Sequence, residues 1–318
     1  MKILIIGSGL QFKRRISALK STDEIIQVSR SGLKDKETYS KFLQIELDSI
    51  DAAIICNPPS LHHRYASHLL KNRIPTLCEK PLTSNSKEAK NLFDLSKKYK
   101  TLLQCGFNHR FHQSVVKAKK LIENNFIGKV INIRANYGMC GRDGYEKEWR
   151  SKKKYAIGGH FGEQGIHLVD LIRYLANDIE EVCSMNNIGF FKKQNLEDNG
   201  SAVFKLKNGA LATINSSMVE WKNSFNFSLF GTDGYIILDG LGGTYGEQRI
   251  TYGKRDFKKP FSDNTIYFRG GDKSWSNEWK HFIKQMKLKH IADDSGLKSV
   301  LIIEKTYESQ RKKRFIKV

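Results

Sequence analysis

The chain is poor in the residues that would tie it to several protein classes. Its 318 residues include only 5 prolines and 5 cysteines. So little proline, beside 39% hydrophobic residues, excludes a disordered chain. The cysteines (Cys56, Cys78, Cys105, Cys140 and Cys183) are odd in number, dispersed and never in a C-x-x-C pair. That excludes a disulfide framework and fits reduced thiols in a cytoplasmic protein. Long apolar runs are missing too. None reaches transmembrane length, and the opening MKILIIGSG meets glycine too early for a signal-peptide core. A cytoplasmic location with no membrane partner is the expectation. Acidic residues are in deficit: Lys+Arg is 54 against 33 Asp+Glu, a formal charge of +21. Such an excess suits anionic partners. The lysines are nevertheless scattered, with short clusters only at Lys152–Lys154 and Arg311–Arg314. No RNP-like aromatic motif, Cys/His zinc spacing or basic zipper accompanies them, so nucleic acid is not an expected partner.

What is present divides into two grammars. Up to about residue 110, short apolar runs (KILII, EIIQVS, AAIICN, PTLC, LLQCGF) alternate with amphipathic stretches such as SLHHRYASHLLKN and SNSKEAKNLFDLSKKY. Apolar strands bracketing helices predict βαβ units, hence an α/β, doubly wound parallel sheet of Rossmann type, with ligands at the carboxyl ends of its strands. The second half is β-rich: KVINIRANYG, SAVFKLKNGALATINSSM, FNFSLFGTDGYIILDG and EQRITYGK, with Asn-Gly and Asp-Gly turns. GIHLVDLIRYLAN reads as a helix ahead of this sheet, and two helical segments close the chain. The expected organisation is a dinucleotide-binding domain over 1–118 and an α+β domain over 119–318 with a large, mostly antiparallel open sheet. The last helix is expected to pack back on the first domain.

ILIIGSGLQF places Gly7 and Gly9 directly after the first strand. The first glycine allows a tight turn. The second lets a pyrophosphate approach the backbone N–H groups of a helix N-terminus, with Ser8 and Leu10 in the same turn. The third glycine of the fingerprint is replaced by Phe12, which implies looser helix–strand packing or a detour of the loop. The second strand ends in Ser29 and Arg30 rather than the Asp or Glu that would accept from a ribose 2′-hydroxyl. This pair suits a 2′-phosphate and favours NADP over NAD, the alternative being a solvated arginine at a strand end.

Three further stretches each follow a strand: CNPPSLHH (56–63), CEKPL (78–82) and GFNHRF (106–111). A later segment reads GGHFGEQGIHLVDLIRYL. Together with the glycine turn, in this order, they resemble the glucose–fructose oxidoreductase/inositol dehydrogenase (Gfo/Idh/MocA) family over nearly the whole chain. The resemblance implies an NAD(P)-dependent oxidoreductase acting on a secondary alcohol or ketone of a sugar or cyclitol derivative. It implies that Asn57, Pro58, His62, Glu79, Lys80 and Asn108 contact the dinucleotide. It makes Lys80 the group that also meets the substrate hydroxyl, with His167 as second proton handler. In relatives an Asp orients that histidine; here Glu163 stands in its place. Arg110, Trp149 and Arg150, with Arg142, are implied to line the substrate site. Trp offers a flat apolar face to a sugar ring and Arg a fork to an anion.

His160, Glu163 and His167 could also be read as metal ligands, but Gly162 and Gly165 oppose a regular helix there and the spacing lacks H-E-x-x-H, so no metal is expected. GYEKEWR and DGLGGTYGEQRI (239–250) look like the subset of the family associated with modified surface sugars. A sugar nucleotide or a surface-polysaccharide precursor is therefore the expected substrate. A neutral sugar is the competing reading, with the arginines paired to Glu146 and Glu148. Beside net oxidation or reduction stand a redox-neutral reaction with tightly held cofactor and a non-catalytic dinucleotide sensor, which Phe12 and Glu163 would favour. Alternation on both faces of the second-half strands implies a partner copy, hence a homodimer or homotetramer.

Overall fold

The computed structural model describes residues 1–29, 35–259 and 262–318. They form two units: Met1–Phe107 with Trp275–Val300, and Asn108–Ser274 with Leu301–Val318. A boundary after residue 118 would cut helix α5 (Gln113–Glu123), which lies in the second unit. The segment 275–300, for its part, belongs to the first.

In the first unit five parallel strands stand in the order β2-β1-β3-β4-β5: β1 (Lys2–Ile6), β2 (Glu24–Val28), β3 (Ala52–Ile55), β4 (Thr76–Glu79) and β5 (Leu103–Gly106). β3, β4 and β5 are buried at every residue, which is why they show no polar–apolar alternation facing solvent. β2 is the edge strand and is largely exposed. The winding reverses between β1 and β3, the point where such sheets open a crevice at their carboxyl ends. Between strands run α1 (Leu10–Ser17), α2 (Asp35–Leu43), α3 (Pro59–Lys71) and α4 (Ser86–Tyr99). α3 starts on a proline whose missing N–H costs nothing at that position. α4 is capped by Asn85, whose Oδ1 accepts from the Glu88 N–H at 2.9 Å.

On one face of this sheet Ile3, Ile5, Ile54 and Leu77 pack with Trp279 and Phe282 of α7 (Ser274–Lys287). Phe12 joins the same cluster from α1. The expected detour at the missing third glycine does not occur. The helix begins at Leu10 and runs through Phe12, whose ring faces the core.

A buried ion cluster ties three distant parts of the first unit. Arg15 of α1 is 1% exposed. Its Nε donates to Glu79 Oε1 at 2.7 Å and its Nη1 to Glu278 Oε2 of α7 at 2.6 Å. The guanidinium also lies 4.7 Å from the centre of the Trp275 ring. Burying these charges is costly, and the cluster holds only because fork and carboxylates match.

The second unit carries nine strands in the order β13-β12-β11-β10-β6-β9-β8-β7-β14. They are β6 (Val130–Cys140), β7 (Ile179–Asn187), β8 (Asn199–Leu206), β9 (Leu211–Ser217), β10 (Val219–Gly231), β11 (Gly234–Asp239), β12 (Gln248–Lys254), β13 (Asn264–Phe268) and β14 (Ile316–Lys317). All neighbouring pairs are antiparallel except β6 with β9, which run parallel. Strict alternation in β8 buries Gly200, Ala202, Phe204 and Leu206 and turns Ser201, Val203 and Lys205 outward. A side chain such as Phe204 or Phe227, wholly buried, contributes roughly 1.5–3 kcal/mol of transfer free energy. α6 (Ile166–Leu175) lies on the buried side with nearly all its residues inside. The other side is open. Arg134, Asn136, Met185, Val203, Thr213 and Asn215 line a shallow concavity of about 540 Å³ there. α8 (Ser295–Lys312) is the last helix. No helix among the described residues is long and apolar enough to cross a membrane.

Replacing Arg15 by Met strands two buried carboxylates. The first unit is expected to lose on the order of 3–5 kcal/mol of stability, read as a lower urea midpoint. Glu278→Gln added to that variant should restore part of it; a midpoint unchanged in Arg15→Met would show that the cluster contributes nothing net.

Candidate active site

Three adjacent parallel strands of the first unit deliver the predicted cofactor residues to one edge of the sheet. β1 runs into Gly7–Gly9, β3 into Asn57 and Pro58, β4 into Glu79 and Lys80. The glycine turn is pinned from both sides. Gly7 N–H donates to Val28 O at 2.8 Å, and Gln27 Nε2 donates to Gly7 O at 2.9 Å. Gly7 sits at φ +135°, and a Cβ there would strike the carbonyl and thiol of Cys56, so this position requires glycine. Gly9 is under no such steric constraint. A Cβ there would meet open space, and Ser8, Gly9 and Leu10 are exposed. The backbone before α1 thus stands clear, and no side chain caps its first N–H groups. Asn57 Oδ1 and Gln11 Oε1 are buried with no hydrogen-bond partner. A bare helix N-terminus beside unsatisfied polar atoms fits a dinucleotide, whose phosphates take the N–H groups. Ser29 is half-buried at the end of β2. Arg30, the residue behind the NADP expectation, lies outside the described residues.

Three of the expected cofactor contacts have side chains committed elsewhere. His62 is fully buried, with Nε2 2.7 Å from Asn57 O and Nδ1 3.0 Å from Pro81 O. Burial pushes its pKa below the usual imidazole value. The ring fastens the turn after β3 to the turn after β4, which replaces the expectation that it faces the dinucleotide. The Glu79 carboxylate is held by Arg15. Asn108 donates through Nδ2 to Ser274 Oγ at 2.9 Å, leaving its oxygen for His109 Nδ1 at 3.2 Å. Lys80 is half-buried, and the Lys80–Pro81 peptide is cis.

The second unit gathers the predicted substrate residues. His167, 3% exposed, opens α6. Before it, Phe161–Gly165 forms a π-turn rather than the regular helix that Gly162 and Gly165 already opposed. This segment is fixed by groups the sequence did not single out. A Cβ at Gly158 or Gly162 would collide with the Tyr307 hydroxyl, and one at Gly159 with the backbone of Glu197. Tyr307 of α8 donates to Glu197 Oε1 at 2.6 Å, and His160 N–H donates to Glu197 O at 2.8 Å. Burial pushes the Glu197 carboxyl above the usual range, although the Tyr307 hydrogen bond works the other way.

Each candidate arginine already has a carboxylate. Arg110 donates to both oxygens of Asp170 at 2.8 and 2.6 Å. Arg142 grips Glu148 at 2.6 and 2.7 Å. Arg150 donates to Glu163 Oε1 at 2.7 Å while its guanidinium covers the Trp149 ring at 4.4 Å. Glu163, expected to orient His167, thus receives Arg150 instead. The ring against His167 is His109, stacked at 3.8 Å between centres and 26° between planes. Two signals in the sequence pointed to these groups. Arg15 falls on the inward stripe of α1 with Phe12 and Ile16, and His109 lies inside the GFNHRF stretch.

Residues 1–107 match the model of an oxidoreductase family with an NAD-binding Rossmann fold, and residues 115–237 that of the GFO/IDH/MocA C-terminal domain. The chain is 26% identical to the myo-inositol 2-dehydrogenase of Thermotoga maritima, over its whole length and 98% of that relative. It is 26% identical to the glucose-6-phosphate 3-dehydrogenase of Bacillus subtilis, over 76% of this chain and 78% of that one. Its fold is similar to that of a levoglucosan dehydrogenase solved with NADH and L-sorbose, with a TM-score of 0.85 at 19% identity, covering 100% and 98% of the two chains. With both domain models matched in succession, on a parallel sheet followed by a mostly antiparallel one, the chain belongs to the Gfo/Idh/MocA family of NAD-binding oxidoreductases.

Proposed function

We propose that this chain is a dehydrogenase that oxidises a secondary alcohol of an uncharged sugar or cyclitol, or reduces the matching ketone, with Lys80 and His167 as its proton handlers. The observation that carries the reading is the edge of the first sheet, where the open glycine turn, Lys80, and Asn57 with its unsatisfied Oδ1 stand at the ends of three neighbouring strands. A dinucleotide bound at this edge would supply the hydride acceptor or donor. Lys80 would take the hydroxyl proton during oxidation and return it during reduction. The Arg15 fork holds Glu79, the residue before Lys80. His167, the second proton handler that the resemblance implies, offers an imidazole that can donate or accept a proton. Lys80→Met is expected to lower turnover by at least ~10²-fold while a direct titration still finds the dinucleotide bound; near-native turnover would remove Lys80 from the mechanism.

The arginine pairs support a neutral substrate over an anionic one. The sugar-nucleotide expectation needed Arg110, Arg142 and Arg150 as receptors for an anion. Each is matched to Asp or Glu, two of them through both oxygens. An anion would have to displace a good ion pair to use them, whereas a neutral ring needs only hydroxyl partners and a face such as that of Trp149. Of two curated relatives, one is named for myo-inositol, an uncharged cyclitol, and the other for glucose 6-phosphate, an anion without a nucleotide. A screen of inositols, free hexoses, hexose phosphates and nucleotide sugars is expected to find turnover of a neutral substrate, with kcat/KM insensitive to added salt. Turnover confined to a nucleotide sugar and weakened by salt would reverse the assignment. Build-up of reduced dinucleotide in the same assay separates net oxidation from a redox-neutral reaction.

NAD is the cofactor class of the matched domain. A preference for NADP rests on Ser29 and Arg30 alone, and Arg30→Asp should then weaken NADP more than NAD. The open sheet face suits a second copy of the chain: Met185 and Val203 are 79% and 40% exposed on it, among polar neighbours able to pair across a dyad. A dimer or tetramer is expected by light scattering, and Val203→Glu should shift it toward monomer.

A further inference from the structure

We propose that His109 and His167 act as a one-proton pair, with His109 as the positioning residue that stops a second positive charge from forming beside His167. The inference rests on the reading of His167 as a proton handler. Both rings are buried, His109 at 5% and His167 at 3% exposure. They lie nearly parallel with centres 3.8 Å apart. Two imidazolium ions at that separation, away from water, repel strongly, while a neutral ring against a charged one does not.

Two carboxylates close to His167 along the chain are each held by an arginine. Glu163, one turn before His167, carries Arg150, and Asp170, three residues after it, carries Arg110. From β6, Tyr137 stands 5.4 Å from the His109 ring and 6.2 Å from that of His167. From β10 comes the uncharged Phe225, 5.9 Å from His109. His112, ahead of α5, lies 5.4 Å from His109. Burial lowers the pKa of His112, and Asp272, 3.8 Å from its ring, opposes that shift. His160, also buried, lies in the segment leading to His167.

His109 is held in register with its partner. The Asn108 amide nitrogen is used on Ser274 Oγ, which leaves Asn108 Oδ1 to accept from His109 Nδ1. That bond fixes the ring plane and sets which nitrogen carries the hydrogen. In the proposed reaction His167 would therefore meet the substrate hydroxyl from a pair already limited to one proton, and any proton it accepts is one that His109 does not hold.

The test is a titration of the imidazole signals of the full chain by NMR, assigned with His109→Phe and His167→Phe. The phenyl ring preserves the stack and removes one titrating site. In the wild type, whichever ring protonates second should do so at least about one pH unit below its value when alone in the single variant. Wild-type rings that titrate independently, at the values of the single variants, would overturn the proposal. Should His109→Phe fail to fold, His109→Gln, which keeps a donor for Asn108, gives the same comparison. A kinetic readout accompanies it: the pH profile of kcat/KM for the sugar should move in His109→Phe while dinucleotide affinity does not. Coupled titration in a chain that oxidises no sugar would leave the pair standing and remove the functional reading. Uncoupled rings in an active dehydrogenase would do the reverse.

Discussion

The Arg15 guanidinium is the constraint on which the first unit depends. It lies in the last turn of α1, pairs with Glu79 at the end of β4, and pairs with Glu278 on a helix more than 260 residues further along the chain. A carboxylate so deeply buried persists only with a fork to meet it. Through this one side chain the last turn of α1, the E-K-P turn and the returning α7 are tied together. The same atom group explains Gly106, where a Cβ would press on Arg15 Nη2. It also turns Glu79 from a surface acid into a fixed part of the scaffold beside Lys80.

The second unit solves a comparable problem with weaker partners. A glycine-rich segment that cannot hold itself as a regular helix is wedged between Glu197 and Tyr307, and its glycines leave the space that the Glu197 backbone and the Tyr307 side chain need. That wedge seats His167 at the first turn of α6, against His109. In the same unit Arg110, Arg142 and Arg150 are each paired with a carboxylate, despite the strongly basic composition of the chain. Net charge governs long-range steering, while the local pairing of each guanidinium governs what a site can hold.

Much of this was legible along the chain. Short apolar runs marked β1, β3, β4 and β5, because strands buried on both faces show no polar–apolar alternation facing solvent. Asn-Gly and Asp-Gly marked the turns of the β8–β9 and β10–β11 hairpins. Less legible were β7, whose IEEVCSMNN lacks a clean period because one end pairs at an irregular register, and β13, an exposed edge strand that burial does not pattern. The parallel pairing of β6 with β9 left no mark in the sequence, since the pattern of either strand is the same whichever direction its neighbour runs.

The sequence by itself determined the fold class, the position of the glycine turn, and the residue types able to move a proton, because periodicity and backbone chemistry are local properties. Partnership was decided only by tertiary structure. That Glu79 belongs to Arg15 and Glu278, that His62 ties two turns together, that Glu163 serves Arg150, and that His167 stacks on His109 all depend on atoms brought within a few ångströms by segments far apart in the chain. Hydrogen bonds and ion pairs act over such distances, and no local pattern records which distant group will arrive first.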